Sequence, residues 1–119
     1  MKKRGCKIAA AIAYIVVLTI SELLPLNAPK WEVGGIGVDK LAHTAAYGLM
    51  TLLLSTAFEW MGLVVSSLLA LAHSIIIEVV QACLPRRTAD IYDLLAGVIG
   101  IVAVVAALNL LRRFSELKA

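Results

Sequence analysis

The chain has 119 residues, 61% of them hydrophobic, with a formal net charge of +3 and a mean hydropathy of +0.94. Soluble domains carry about 45–50% apolar residues even with glycine counted, so a soluble fold is excluded and one all-α membrane domain over residues 1–119 is expected. The positive balance does not indicate nucleic-acid binding, because the lysines and arginines flank apolar runs, where they act first as topology signals.

Lys2, Lys3, Arg4 and Lys7 precede an apolar run. A basic start of this kind also opens a signal peptide. Here the run continues through Leu23 and Leu24 without a small-x-small cleavage site, which predicts an uncleaved first span over about residues 8–24. Pro25, Pro29 and the glycines Gly34, Gly35 and Gly37 mark residues 27–38 as a loop, with Trp31 as an interfacial anchor. A second span is expected over 41–58, a tight connection at 59–61, a third span over 62–84, a basic turn at 85–88 and a fourth span over 91–111. Spans of this length match a hydrocarbon core about 30 Å thick at about 1.5 Å per residue.

Four spans place both termini on one side with seven basic residues (Lys2, Lys3, Arg4, Lys7, Arg112, Arg113, Lys118), against four on the other (Lys30, Lys40, Arg86, Arg87). The richer side is cytoplasmic by the positive-inside rule. The expected product is a multi-pass protein of the cytoplasmic membrane with both termini inside. Cys6 and Cys83 then lie at opposite faces, too far apart for a disulfide, and serve as small apolar residues. Ala96, Gly100, Ala103 and Ala107 form a small-residue face for close helix packing.

The polar residues fall into register. Asp39, His43 and Tyr47 recur at i, i+4 and i+8; Ser74, Glu78 and Gln81 at i, i+4 and i+7; Asp90, Asp93 and Gly97 at i, i+3 and i+7. Each set shares one helical face. Glu78 lies roughly 9 Å below Leu84, His43 roughly 6 Å below Asp39 and Asp93 roughly 9 Å below Arg87, counted at the helical rise. Three helices therefore deliver polar groups to one slab under the outer surface. The predicted ligand-binding set is Asp39, Lys40, His43, Tyr47, Glu78, Gln81, Arg87, Asp90 and Asp93. His43, Glu78 and Asp93 are the candidates for any catalytic role.

Each member also has an ordinary reading. Asp39 and Asp90 are placed to cap helices, and Asp93 to favour a helix dipole. Lys40 can snorkel, and Arg86 can contact solvent or headgroups. Tyr47 can be a core aromatic, His43 a hydrogen-bonding group of the bundle, and His73 structural. Glu78 is different, because it is placed mid-helix, is expected to cap nothing, and is costly in lipid if charged. A partner is expected for it, either Lys40 or Arg87.

The ordered set Asp39-Lys40-x-x-His43-x-x-x-Tyr47, Glu78-x-x-Gln81, Pro85-x-Arg87-x-x-Asp90-x-x-Asp93 and Gly100, with Ser21 and Pro25, resembles the VanZ-like membrane protein family over roughly residues 10–105. Two positions depart from that pattern: Gly97 stands where the family usually has asparagine, and His73 where it often has tyrosine. The resemblance implies a membrane helical bundle with an outward polar site. It also implies a link to teicoplanin resistance, for which the family is named.

Three functions follow as expectations. The first is recognition of an anionic lipid or lipid-linked cell-envelope precursor headgroup, since arginine suits phosphate geometry and a helix N-terminus attracts anions. The second is an enzyme acting on a lipid-linked phosphate, with His43–Asp39 or Glu78–Asp93 as acid–base pairs, or Asp and His holding a metal. The third is a structural module whose charges fix helix packing. No HExxH pattern or close Cys/His spacing is present, so no metal or other cofactor is expected. Membrane lipids are the expected partners, and nucleic acid is not.

Overall fold

The computed structural model describes residues 2–24, 31–85 and 88–119. Among them are four α-helices: α1 (Lys2–Leu23), α2 (Val38–Ala57), α3 (Gly62–Cys83) and α4 (Ile91–Lys118). A 3-10 turn over Glu59–Met61 joins α2 to α3. The expected spans overlap these helices closely, running one residue past the ends of α1, α2 and α3, and the larger differences lie at the polar ends. α1 begins at Lys2, and α4 runs on to Lys118, because backbone i→i−4 bonding does not require apolar side chains.

α1, the stretch Glu59–Cys83 and α4 are long and apolar enough to cross a membrane, by length and composition. Most side chains in those three stretches lie on the outside, including Val64, Ile99 and Leu111. An apolar exterior of this extent belongs in lipid. The longest dimension, 53 Å, exceeds the roughly 40–45 Å of a whole bilayer.

The expected loop after the first span contains a small hairpin. β1 (Glu32–Val33) pairs antiparallel with β2 (Ile36–Gly37) across Gly34-Gly35. Both turn glycines have positive φ, +61° and +81°. That is the backbone a two-residue type I′ turn requires, and glycine adopts it without a Cβ penalty. The Val38 amide then donates to the Trp31 carbonyl at 2.8 Å, closing the hairpin onto the start of α2. Pro25, Pro29 and Lys30 of the predicted loop lie outside the described residues.

The most extensive packing is between α2 and α4. Gly48 and Gly100 face each other there, and a Cβ on Gly100 would run into the Thr44 carbonyl of α2. The Thr44 hydroxyl donates to the Ala96 carbonyl of α4 at 2.9 Å, an interhelical bond that close approach makes accessible. The small-residue face is thus placed differently from the sequence expectation. Ala96, Gly97, Gly100 and Ile101 are buried, whereas Ala103 and Ala107 are exposed. Steps of 4, 3 and 4 keep all four positions within about 60° of one another on the helix, so the stripe is one face, but its α2 contacts are made at Ala96 and Gly100, against Thr44 and Gly48. α1 is tied to α2 where the Tyr14 hydroxyl donates to the Ala46 carbonyl at 2.6 Å. Leu18, Tyr47, Met50, Leu54, Ala70 and Ile101 form the core. Cys6 and Cys83 are free and exposed, a placement less buried than a small apolar role would suggest.

Candidate functional site

The polar residues converge at the end of the bundle where α1 and α3 finish and α2 and α4 begin. Lys40, in the first turn of α2, donates to Asp39 Oδ2 at 3.1 Å, to Asp90 Oδ2 at 3.0 Å and to Asp93 Oδ1 at 3.1 Å. One ammonium with three donors therefore holds three carboxylates, two of them from α4 and its cap. Asp39 is not the N-cap of α2; that position belongs to Gly37. Asp39 instead sits in the first turn, 60% exposed at its side chain, as the outermost ligand of Lys40.

Asp90 does cap α4. Its Oδ1 accepts from the Tyr92 amide at 2.9 Å. That amide first, and the Lys40 ammonium next, hold the Asp90 carboxyl below its ordinary value of 3.8. A lowered carboxyl stabilises the fold fully above the ordinary value, and the stabilisation is lost as pH falls through the lowered one. Asp90→Ala should cost about 1 kcal/mol at neutral pH. Thermal unfolding of wild type and Asp90→Asn should differ at pH 7 and converge in strong acid, where Asp90 is protonated and nearly isosteric with asparagine.

Glu78, buried on α3, does cap in effect. Its Oε2 accepts from the Asp90 backbone amide at 3.0 Å, an N–H at the very start of α4. The sequence reading gave Glu78 a cationic partner in Lys40 or Arg87. Lys40 bonds the aspartates instead, and Arg87, like Arg86, lies outside the described residues. The reason is geometric: the start of α4 at Asp90 lies against Glu78 in the last turns of α3.

His43 occupies the middle. Its side chain is 10% exposed, and Nε2 stands 3.5 Å from Asp93 Oδ2 and 3.6 Å from Glu22 Oε2. These separations are too long for good hydrogen bonds. Nδ1 is buried without a hydrogen-bond partner among the described residues. The ring is stacked parallel to Tyr47, centroids 6.1 Å apart. Asp93 thus divides its carboxylate, with Oδ1 on Lys40 and Oδ2 facing His43.

Gln81, from the last turn of α3, donates to the Glu22 carbonyl at 2.8 Å and reaches Glu22 Oε2 at 3.4 Å. It fastens the end of α1 to the cluster. Glu22, near the end of α1, is absent from the predicted ligand-binding set, yet it belongs to this group. Its one signal in the sequence is an acid three residues before a proline at the end of an apolar run.

Tyr47 is fully buried beneath the cluster. Its hydroxyl meets His73 Nδ1 at 3.2 Å, and His73 Nε2 meets Thr19 Oγ1 at 2.8 Å. The Thr19 proton is already given to the Ile15 carbonyl at 2.7 Å. His73 therefore donates from Nε2 to Thr19 and accepts from Tyr47 at Nδ1. This chain of bonds ties α1, α2 and α3 together below the site. Gly97 lies against Tyr47, where a Cβ would be 3.1 Å from the ring. A larger side chain at this position would have to displace that ring or the Ser74 hydroxyl.

Two groups of donors could hold a metal ion: His43, Glu78 and Asp93, and Asp39, Asp90 and Asp93; within each group the donor atoms lie within 4.8 Å of one another. The second is committed to Lys40. The first joins one imidazole and two carboxylates from three different helices, a mixed N/O set suited to a divalent transition ion such as Zn²⁺ or Mn²⁺. A separation of 3.5 Å between two donors is close to that of ligands sharing one ion at about 2.1 Å.

A family model described as VanZ/LLP1 matches residues 7–112. No curated protein and no solved structure matches the chain. The family match takes in nearly the whole of α1, all of α2 and α3, most of α4 and every residue of the cluster, and on that ground the chain belongs to the VanZ/LLP1 family.

Proposed function

We propose that the cluster binds the anionic headgroup of a lipid or lipid-linked cell-envelope precursor, with a divalent cation held by His43, Glu78 and Asp93 as the bridging charge. In this reading α2 also crosses the membrane, as the second of four spans, both termini are cytoplasmic and the cluster faces the outer leaflet. The observation that carries it is the approach of those three donor sets to within 4.8 Å beside Lys40. Lys40 alone would not serve an anion, because three carboxylates already engage it. A cation between His43 and the acids supplies the missing positive charge, and Arg86 and Arg87 stand close by in sequence. His43 Nε2, which faces Asp93 Oδ2 at 3.5 Å and Glu22 Oε2 at 3.6 Å, supports the same reading.

The purified chain should bind Mn²⁺ or Zn²⁺ with about 1:1 stoichiometry and retain polyprenyl phosphate only with the ion present. His43→Ala should lower ion affinity at least about tenfold, as removal of a first ligand does more than removal of its supporting groups. Retention of polyprenyl phosphate that survives both a chelator and His43→Ala would end this proposal. Release of inorganic phosphate from a polyprenyl diphosphate would favour the enzyme reading, in which the same ion polarises a phosphoryl oxygen. Loss of the protein's effect on teicoplanin susceptibility in His43→Ala would connect the site to resistance.

A further inference from the structure

At the opposite end of the bundle the structure has a second charged feature that the cluster does not use. A cleft of about 440 Å³ opens between the start of α1 and the turn from α2 to α3. Lys3, Arg4, Lys7, Thr56, Glu59 and Trp60 line it. Three cations face a single carboxylate, and the one ion pair among them, Lys7 to Glu59 at 3.8 Å, is exposed on both sides and so contributes little. The volume falls within the range of ligand pockets.

The placement of these charges is unfavourable for the helix that carries them. Lys3 and Arg4 lie in the first turns of α1, which contains no acidic residue there. Cations at a helix N-terminus oppose its macrodipole, whereas an anion at the same place is stabilised. Trp60 adds an aromatic wall, with 74% of its surface exposed, as interfacial tryptophans have at headgroup depth. An adjoining cleft of about 360 Å³ shares Thr56 and Glu59, and continues past Leu63 and Leu108 to Arg112. Its walls are mainly apolar. A polar chamber opening into an apolar groove at the mouth of two membrane-length helices has the chemistry of a phospholipid, with the head in the first and the upper acyl chain in the second.

We infer that the cleft between the start of α1 and the α2–α3 turn is a binding site for an anionic phospholipid headgroup of the leaflet that the start of α1 faces. Lys3 and Arg4 take the phosphate, Trp60 covers the glycerol region, and the groove beside Leu63 and Leu108 takes the chain. This site is independent of the metal-assisted site at the other end.

The test is native mass spectrometry of the purified chain titrated with phosphatidylglycerol or phosphatidylcholine. Wild type should retain phosphatidylglycerol in preference. Lys3→Gln with Arg4→Gln should reduce that preference about tenfold or more, since each basic residue contributes substantially at an anionic surface. Lys2→Gln with Arg113→Gln removes the same charge at the same membrane edge but outside the cleft, and should leave the preference intact. Thr56→Phe fills the cleft without changing charge and should also abolish it, which keeps the test decisive if the charge variant fails to fold. Equal loss in both charge pairs would mean diffuse attraction and overturn the site. So would unchanged retention in Thr56→Phe, or displacement of the lipid by free inorganic phosphate at equal concentration. The titration is run with a chelator throughout, so that the outward cluster holds no ion and retention reads this cleft, which separates failure here from failure of the outward site.

Discussion

Gly100→Ala should be among the most damaging single substitutions in this protein. The added methyl has no free volume to enter, because the Thr44 carbonyl occupies it. That obstacle is backbone, so a rotamer change cannot relieve it, and α2 and α4 must separate. Overpacking of this kind typically costs about 1–3 kcal/mol. Here the Thr44–Ala96 hydrogen bond and the Gly48 contact are lost with it. Thermal unfolding in detergent should show a large drop in midpoint for Gly100→Ala, and Ala103→Leu on the exposed side should show almost none. Similar midpoints for the two would mean that α2 and α4 do not meet as described. Because α2 bears Lys40 and His43 while α4 bears Asp93, Gly100→Ala should also reduce ion binding at the distant cluster.

Lys40→Met should be comparably severe, for an electrostatic reason. Removing the ammonium leaves Asp90 and Asp93 without their shared partner, and Asp93 is only 15% exposed. Breaking one side of a mostly buried ion pair costs about 3–5 kcal/mol when fully desolvated. Lys40 is 30% exposed and Asp39 can turn to water, so about 2–3 kcal/mol is expected. Adding Asp90→Asn to Lys40→Met should restore part of the loss, since it removes one of the stranded charges while keeping a capping side chain. A double-mutant cycle on unfolding midpoints measures this coupling. Additive effects would show that Lys40 and Asp90 do not interact, contrary to the 3.0 Å contact.

The same cycle bears on function. If Lys40 and Asp90 only fix the register of α2 on α4, the double variant should regain both stability and ion affinity. Under the proposed function, Lys40 also orients Asp93, leaving Oδ2 turned to His43. Stability should then recover further than ion affinity does. This comparison separates a charge network that locks helices from one that prepares a ligand set.

Much of the site was legible as helical register. Asp39, His43 and Tyr47 project from one face because residues four apart are one turn apart. The buried side of α3 carries Ser74, Glu78 and Gln81 for the same reason. Partners were less legible. The acceptor role of Glu78 toward the Asp90 amide depends on where the start of α4 sits against α3, and no spacing rule reports it. Glu22 was missed because its neighbours in space, His43 and Gln81, come from other helices. His43, Glu78 and Asp93 were singled out by helical face, but no motif marks them as a metal set, because they are not close in sequence.

The sequence by itself determined that this is a helical membrane protein, where its helices run and which face of each is polar. Those properties follow from local hydrophobicity and the 3.6-residue repeat, which need no knowledge of neighbours. Only the tertiary structure decided which small residues of α4 meet α2, which carboxylates Lys40 gathers, and what His43 faces. These depend on the relative rotation and spacing of helices, set by steric fit at Gly48, Gly97 and Gly100. A one-dimensional pattern specifies the face but not the partner, because contacts between helices are fixed by packing across the bundle.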